Sequence, residues 1–499
     1  MSISFNQMPA DIRVPLFYAE VDNSQAFSFE GNYRALLIGQ RFAVAPIAVN
    51  TPVLVSSADQ AGQYFGKGSM LHRMVTAYIK NNDYTELWCV ALDDDGSGVA
   101  ATGSIKVDAG ASASGTDNLY IAGQRIRYGV ASTDTPAALA TAIAAAITAD
   151  SNLPVAAVVN GSDNSQVDFT ARHKGEVGNG IDIRRNYYGV VGGEVSPTGL
   201  DISITAMSGG SGNPDISTAV AAVGDEPYRF IGMAYTDAAN LAVMQTFLDD
   251  VTGRWSPLQQ NYSHCFTARS DTLGSLNTFG ETRNDPHTTC YGVYDSPTPT
   301  YEAAAIWTGI AAKHISIDPA RPLQTLPMVG FLSPPEASRF TISERNILLH
   351  SGIATSYVEG GYSRIERAIT TYQENSYGEP DASYLDANTL FTLAYVLDYL
   401  RAGITQKYPR HKLANDGTRF GAGQAIVTPK IIKAEIIASY GRLEERALVE
   451  NREAFIDNLI VERSSSNPSR VDVLFPPDLV NQLRILAVLA QFRLQYNAN

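Results

Sequence analysis

A stretch near the middle of the chain, residues 329–378, constrains the fold more than any other part of the sequence. It begins with an apolar run that predicts a strand. Pro334 and Pro335 end this run, because proline donates no backbone N–H and fixes its own φ. Thr341 and Glu344 then stand in the spacing of a capping box, in which the two residues cap free N–H groups at a helix start. The sequence therefore predicts a strand that stops at the proline pair and a short helix that begins after Thr341.

A long hairpin is predicted directly after this helix. Gly352 ends the helix, since glycine enters the left-handed region without a steric penalty. Alternating side chains then predict strands at residues 353–358 and 362–372, which a turn with two glycines at residues 359–361 joins. A strand of this length is rarely isolated, so we expect the hairpin to belong to a larger sheet.

Strand-like and helix-like patterns alternate on both sides of this stretch. The predicted strands are residues 33–40, 86–92, 228–235, 264–268 and 288–294, and the predicted helices are residues 56–65, 69–81, 237–251, 300–310, 387–401 and a last helix from residue 429. Alternation of this kind is typical of parallel strands whose sheet is covered by helices. We therefore predict an α/β fold in which a mixed, mostly parallel sheet forms the core and helices flank it.

Residues 97–209 differ from this pattern in composition. They make up under a quarter of the chain but contain 15 of its 40 glycines. The alternation of Val167, Phe169 and Ala171 predicts strands, and Thr135 precedes a proline at the start of an alanine-rich helix. We predict that this segment is a separate β-rich domain inserted into the α/β core.

Both ends of the chain are predicted to be extended arms. The predicted divisions are an N-terminal arm (1–30), the two parts of the α/β core (31–96 and 210–468) around the inserted domain (97–209), and a C-terminal arm (469–499). Each arm carries short apolar strand candidates that have no obvious partner in their own chain, and adding a strand to a neighbour's sheet would satisfy their backbone groups. The apolar residues expected to mediate this exchange between subunits are Leu16, Phe17, Tyr18 and Val21 in one arm and Leu483, Ile485, Val488 and Phe492 in the other.

The C-terminal arm is predicted to follow a linker at residues 464–468 and to contain strands at 471–475 and 483–496. The N-terminal arm has a plainer alternative, which is a strand held by the sheet of its own chain.

Composition limits the classes of function. The net charge of −14 argues against a protein that grips nucleic acid over its whole surface. No apolar run approaches the roughly 20 residues of a membrane helix, and the N-terminus lacks the basic and apolar regions of a signal peptide. We therefore expect no membrane insertion, no direct contact with nucleic acid and a cytosolic site of synthesis.

No motif of an enzyme site is complete in the sequence. Residues 62–69 have three residues between the glycines, where a phosphate loop has four, and residues 93–95 lack the downstream glutamate of a calcium loop. Histidines and cysteines do not occur at metal-ligand spacing. His264 beside Cys265 is a weak indication of a reactive thiol, and buried, unreactive cysteines are the expected alternative. We expect no catalytic residue, no metal and no cofactor.

Four blocks of the sequence together resemble one known family. The blocks are NQMPADIRVPLFYAEVDNSQA near the N-terminus, ARHKGEVGNGIDI at residues 171–183, ERNILLHSGIATSYVEGGYSRIERAITTY in the central stretch and VDVLFPPDLVNQLRILAVLAQFRLQY near the C-terminus. Their residue types and their order resemble the tail sheath proteins of contractile phages, especially of the Mu-like type. The resemblance extends from residue 6 to residue 496.

The resemblance implies a structural function. Subunits of this family stack as hexameric rings into a helical sheath around an inner tail tube, and the arms pair with sheets of neighbouring subunits. The sheath meets baseplate and tail terminator proteins, and its contraction drives the tube through the host envelope for genome ejection. The resemblance thus implies a homo-oligomer in the virion tail that is assembled in the host cytoplasm. For the inserted domain it suggests outward display.

A basic cluster stands out against the acidic balance of the chain, and its members are Arg401, Lys407, Arg410, His411, Lys412 and Arg419. A solvated face or a helix C-terminus that attracts cations is the plainer interpretation. The functional interpretation is that Arg401, Lys407, Arg410, Lys412 and Arg419 face an acidic partner such as the inner tube.

Two other interpretations of the whole chain are compatible with the sequence. The chain resembles the sheath of a tailocin or of another contractile injection system as closely as that of a phage. An α/β enzyme without recognisable site motifs belongs to a different class, and the missing motifs count against it.

Overall fold

A computed structural model of the chain describes residues 33–421 and 423–494. The described chain forms two compact units. The first, called here the α/β unit, comprises residues 33–318 and 323–390, and the second, called the C-terminal unit, comprises residues 319–322 and 391–494 without residue 422.

The elements below are numbered in chain order. The strands are β1 (Arg34–Gln40), β2 (Pro52–Leu54), β3 (Glu86–Leu92), β4 (Ala100–Ala109), β5 (Gly115–Ile121), β6 (Gln124–Val130), β7 (Val155–Val159), β8 (Gln166–Lys174), β9 (Ile183–Arg185), β10 (Asp201–Ser208), β11 (Phe230–Met233), β12 (His264–Ser270), β13 (Thr288–Val293), β14 (Ile353–Glu359), β15 (Tyr362–Arg367), β16 (Lys412–Leu413), β17 (Ile426–Val427), β18 (Ile460–Arg463) and β19 (Val471–Leu474). The α-helices are α1 (Ala58–Phe65), α2 (Met70–Ile79), α3 (Pro136–Ala149), α4 (Ser217–Val223), α5 (Ala238–Leu248), α6 (Leu273–Glu281), α7 (Thr300–Ile317), α8 (Ile342–His350), α9 (Ala387–Lys407), α10 (Pro429–Glu445) and α11 (Arg452–Asn458).

An eight-stranded sheet organises the α/β unit, with the strand order β15-β14-β13-β12-β11-β1-β3-β2. The five neighbouring pairs from β14 to β3 are parallel, and the pairs β15–β14 and β3–β2 at the two edges are antiparallel. β11 and β13 are buried along their whole length, as strands covered on both faces must be. The predicted mixed, mostly parallel sheet with flanking helices is therefore confirmed.

Helix starts follow side-chain caps that the sequence displays. In seven helices the side chain before the first helical residue accepts a hydrogen bond from the backbone N–H three positions on, and these capping residues are Ser57, Ser69, Thr135, Asp237, Thr272, Thr341 and Thr428. The capping box is complete, because Glu344 also accepts a hydrogen bond from the backbone N–H of Thr341 at 2.7 Å. Gly352 after α8 has φ +72°, and a Cβ there would lie 3.0 Å from the Cα of Thr371. These local features explain why α8 begins and ends where the sequence predicts.

Residues 100–208 form sheets of their own within the α/β unit. One sheet has the order β10-β4-β8-β7 and the other the order β6-β5-β9. α3 packs on them through Leu139, Ile143 and Ile147, and the buried cluster that includes these residues contains side chains from positions 101 to 207 alone. The boundaries of the inserted domain at residues 97 and 209 stay a prediction.

The C-terminal unit is built around three helices. Its buried cluster joins α9, α10 and α11 through residues such as Tyr399, Ile436 and Phe455. The β16–β17 pair and the β18–β19 hairpin are its two small sheets. In the described part of the chain, no helix has the length and apolar character that crossing a membrane requires.

Two predictions for the central stretch are wrong. The run before Pro334 is not a strand, because the backbone N–H groups of Val329 and Leu332 donate to the side chains of Asn81 and Thr298 and not to a neighbouring strand. The second hairpin strand ends at Arg367 and not at residue 372, because the backbone N–H of Thr371 donates to Thr288 on another strand. Hydrogen bonds to residues far away in the chain therefore determine the backbone conformation of both segments.

Three expectations near the C-terminus also change. α9 continues to Lys407, beyond the predicted end at residue 401. Residues 464–468, predicted as a linker, lie in the connection of the β18–β19 hairpin. Residues 483–494 belong to neither a helix nor a strand in this single chain, although residues 483–496 are predicted as a strand. A strand requires a second strand alongside it, and none runs beside this segment in the described part of the chain.

Candidate functional site

The C-terminal segment, defined here as residues 483–494, leaves the C-terminal unit at a well-defined exit point, residues 478–480. Leu479 forms an isolated antiparallel bridge with Val449. On either side of this bridge, the N–H of Glu450 donates to the carbonyl of Asp478 at 2.9 Å, and the N–H of Val480 donates to the carbonyl of Leu448 at 3.2 Å. The backbone is thus fixed up to Val480.

Beyond the exit point the segment is apolar and exposed. Ile485, Val488, Leu489 and Phe492 are 80%, 74%, 86% and 86% exposed. In an extended chain Ile485 and Leu489 point to one face, and Val488 and Phe492 point to the other. Soluble monomers rarely expose a continuous apolar patch of this kind unless it is an interaction site. The segment therefore has the composition of a strand that is covered on both faces.

The β18–β19 hairpin presents a second exposed apolar surface. Ile460 and Leu474 are paired across the hairpin and are 53% and 59% exposed. On its other side, Val461 and Phe475 pack against the buried cluster of the unit. A sheet of two short strands is marginally stable in water, and a third strand usually stabilises it. This hairpin has no third strand among the described residues.

The eight-stranded sheet does not offer such an edge. Along β15, Thr325 donates to the carbonyl of Ile365 at 2.8 Å and Met328 donates to that of Ser363 at 2.9 Å, so its outer backbone groups are already used. At the opposite edge β2 has three residues and begins with Pro52, which donates no hydrogen bond. Short edge strands and proline are common protections against unwanted pairing.

The predicted basic cluster divides into two groups. Arg401 forms an ion pair with Asp398 at 2.6 Å, and Lys407 forms one with the nearly buried Glu435 at 2.9 Å. The other predicted members are exposed on the connection around β16 and β17, and they are Arg410, His411, Lys412 and Arg419. Lys412 donates to the side chain of Gln424, which is neutral. The exposed positive charge that no carboxylate among the described residues neutralises is therefore carried by fewer residues than the sequence predicts.

Leu16, Phe17, Tyr18 and Val21, the predicted exchange residues of the N-terminal arm, lie outside the described residues. Leu483, Ile485, Val488 and Phe492 all lie in the exposed C-terminal segment. The predicted strand at residues 471–475 is confirmed as β19. Sequence reasoning missed its partner β18, although the β-branched pair Ile460-Val461 just before residues 464–468 is a signal for that strand.

All three thiols are buried. Burial raises the pKa of Cys290 to about 12, and burial also raises the pKa values of Cys89 and Cys265. Burial lowers the pKa of His264, which hydrogen-bonds Thr289 at 2.8 Å. Successive residues of β12 point to opposite faces, so His264 is not positioned to activate the Cys265 thiol.

No group of three or more His, Cys, Asp or Glu side chains within residues 33–421 and 423–494 is arranged to hold a metal ion. A cavity of about 460 Å³ in the α/β unit is lined by Arg73 and Glu302. These two side chains form an ion pair with each other at 2.6 Å.

Comparison with known proteins agrees with an assembly function. Residues 209–371 match the phage tail sheath protein central domain, and residues 379–493 match the phage tail sheath C-terminal domain. The Mu-like prophage FluMu tail sheath protein of Haemophilus influenzae is 43% identical over 495 residues, which are 99% of this chain and 100% of that protein.

Solved sheath structures are more distant. The sheath tail protein of Desulfitobacterium hafniense is 12% identical, with 94% of this chain and 97% of that chain covered and a TM-score of 0.49. The contracted helical sheath of the anti-feeding prophage is 9% identical, with 97% and 100% covered and a TM-score of 0.46.

The matched families and the relative define a structural protein of a contractile tail and not an enzyme. The chain belongs to the phage tail sheath family, and within it to the Mu-like type. A tail sheath protein is a component of the virion tail.

Proposed function

We propose that this chain polymerises by strand exchange into stacked hexameric rings around an inner tail tube. Contraction of the resulting sheath then drives the tube through the host envelope for genome ejection. The assembled sheath also meets baseplate and tail terminator proteins, and assembly takes place in the host cytoplasm. The coexistence on one chain of two exposed apolar surfaces, the C-terminal segment and the β18–β19 hairpin, carries this proposal.

The two surfaces complement each other in chemistry. The C-terminal segment supplies an apolar strand, with Ile485 and Val488 more than two thirds exposed, and the hairpin supplies a two-stranded sheet with exposed Ile460 and Leu474. Donation of the segment of one copy to the hairpin of the next satisfies backbone groups on both sides. A contact that joins two different surfaces does not close on itself in a dimer, so it generates rings or open helical assemblies.

The N-terminal arm makes the same kind of contact in this proposal, through Leu16, Phe17, Tyr18 and Val21. Arms that stay paired while the bodies of the subunits change contacts are the physical requirement of a sheath that contracts without falling apart. Outward display is the proposed role of the inserted domain.

Arg410, Lys412 and Arg419 are the proposed contacts with the inner tube, together with Arg401 and Lys407 as secondary members. The first three are exposed. The ion pairs of Arg401 and Lys407 with Asp398 and Glu435 reduce what these two residues contribute.

The test is deletion of residues 481–499. This deletion leaves the hydrogen bonds of Asp478 and Val480 intact and removes the C-terminal segment. We expect the truncated protein to keep its circular dichroism spectrum and unfolding midpoint but to form no tubes or rings in negative-stain electron microscopy. Tubes at the yield of the full-length chain would contradict the proposal. Deletion of residues 1–24 tests the other arm in the same way.

A tailocin sheath, or the sheath of another contractile injection system, is the alternative within the same structural class. It uses the same assembly chemistry, so the experiment above does not separate it from a phage sheath. Genes for a capsid and a terminase beside this gene would favour the phage.

A further inference from the structure

The exit point of the C-terminal segment depends on one buried hydroxyl group. Tyr440 lies in α10 and is fully buried. Its hydroxyl donates to the carbonyl of Glu450 at 2.5 Å and accepts a hydrogen bond from the N–H of Asp478 at 3.2 Å. The same oxygen therefore links the α10–α11 connection to the exit point at residues 478–480.

Packing leaves this hydroxyl little freedom. The Tyr440 ring stacks on Phe455, with centroids 3.8 Å apart and planes 6° from parallel, and Phe455 contacts Phe475 edge-on at 5.3 Å. Phe455 belongs to α11, and Phe475 comes directly after β19. The hydroxyl is thus held in place by the same cluster that supports the hairpin.

The α10–α11 connection, which is hydrogen-bonded to the exit point, contains two residues in an unfavourable backbone conformation. Ala447 and Asn451 have φ values of +54° and +55°, in the left-handed region that residues with a Cβ rarely adopt. Such conformations persist where the surroundings determine them. Here Glu450 is bonded to Tyr440 and to Asp478, and the Asn451 side chain donates to the Asp478 carboxylate at 2.6 Å.

We propose that Tyr440 is the positioning residue of strand exchange, because its hydroxyl sets the point and direction from which the C-terminal segment leaves the subunit. This inference rests on the proposed strand exchange. A segment paired with a neighbouring copy transmits any pull between subunits to residues 478–480. The hydrogen bonds of the Tyr440 hydroxyl then transmit this force to the folded unit.

The test is Tyr440→Phe, which keeps the ring and its stacking and removes the hydroxyl. Hydrogen exchange by mass spectrometry should become roughly tenfold faster at residues 478–480, as expected when the N–H of Asp478 loses its hydrogen bond to the Tyr440 hydroxyl. Polymer yield should fall several-fold, while the unfolding midpoint changes little. Tyr399→Phe is the matched control, because Tyr399 is a buried tyrosine of the same unit whose hydroxyl accepts a hydrogen bond from Arg442. We expect this control to polymerise normally.

The outcomes separate this inference from the proposed function. If deletion of residues 481–499 abolishes assembly but Tyr440→Phe assembles normally or leaves exchange at residues 478–480 unchanged, the positioning role is wrong and strand exchange stands. If the deletion protein assembles normally, strand exchange itself is wrong. Should Tyr440→Phe be insoluble, Asn451→Gly removes a second side-chain bond to the exit point, and glycine tolerates the positive φ at that position, so faster exchange at residues 478–480 and a lower polymer yield are expected there too.

Discussion

Arg73 is a buried arginine with both a charged partner and backbone partners. It lies in α2, its side chain is 8% exposed, and it forms an ion pair with Glu302 at 2.6 Å. It also donates to the carbonyls of Ala122 at 2.7 Å and Asn152 at 3.0 Å, both of which belong to the glycine-rich segment at residues 97–209. A buried cation is tolerated when its hydrogen bonds are satisfied in this way. Arg73 therefore links that segment to α2 and α7 through these hydrogen bonds and the ion pair.

Replacement of Arg73 should be costly. Arg73→Met keeps most of the side-chain volume but leaves the Glu302 carboxylate without its partner, and such a loss typically lowers the free energy of unfolding by about 3–5 kcal/mol. Lys313→Ala is the control, because Lys313 pairs with Asp83 at the surface, where the Asp83 side chain is 79% exposed. The control should lose at most about 1 kcal/mol. Urea unfolding of both variants measures the difference, and equal losses would contradict a structural role for the buried pair.

At the scale of elements, the β18–β19 hairpin is the feature with the clearest consequence. Its exposed pair Ile460 and Leu474 contributes little to the stability of a single chain, because neither side chain is buried. In the proposed polymer the same pair lies next to the strand of a neighbour. Stability of the subunit and assembly of the polymer should therefore respond differently to changes here.

Lysine at the hairpin tests this separation. Leu474→Lys places a charge beside the edge, a common natural device against strand pairing. Surface changes of this kind typically alter the free energy of unfolding by no more than about 0.5 kcal/mol, whereas we expect polymer yield to fall strongly. Leu258→Lys is the matched control, since Leu258 is 95% exposed in the α/β unit. Negative-stain microscopy and sedimentation compare the two variants, and equal polymer yields would exclude the hairpin as acceptor.

Local chemistry made much of the fold predictable, and long-range pairing set the limit. The capping box of Thr341 and Glu344 and the glycine at position 352 act within a few residues, so the sequence predicts α8 correctly. The end of β15 depends on Thr288, far away in the chain, so its predicted length is wrong. The hairpin loop at residues 464–468 has the serine, asparagine and proline content of a linker, and sequence alone does not separate the two.

The basic cluster illustrates the same limit for the candidate site. Asp398 stands three residues before Arg401, so this ion pair is readable from helical spacing. Glu435, the partner of Lys407, is 28 residues away and lies on another helix. Composition predicts that positive charge collects in this region, but the fold decides which charges remain available.

At the scale of the whole molecule, the net charge of −14 gives the exposed cations their significance. Subunits that all carry excess negative charge repel one another in a polymer, and salt or local basic regions reduce this repulsion. The connection that carries Arg410, Lys412 and Arg419 is such a region. An acidic tube surface is the partner that its charge favours.

Charge reversal in the connection around β16 and β17 should weaken binding to the tube. Arg410→Glu combined with Lys412→Glu should weaken co-assembly with purified tubes, most strongly at low salt, where the Debye length is about 30 Å at 0.01 M. Polymers formed without tubes should keep their yield, because the strand-exchange surfaces are unchanged. For a matched comparison, Arg410→Glu alone is set against Arg127→Glu, since both arginines are exposed and both changes alter the net charge equally. If Arg410→Glu weakens tube binding and Arg127→Glu does not, the connection belongs to the tube interface. Equal behaviour of the two single variants means that net charge, and not position, governs assembly.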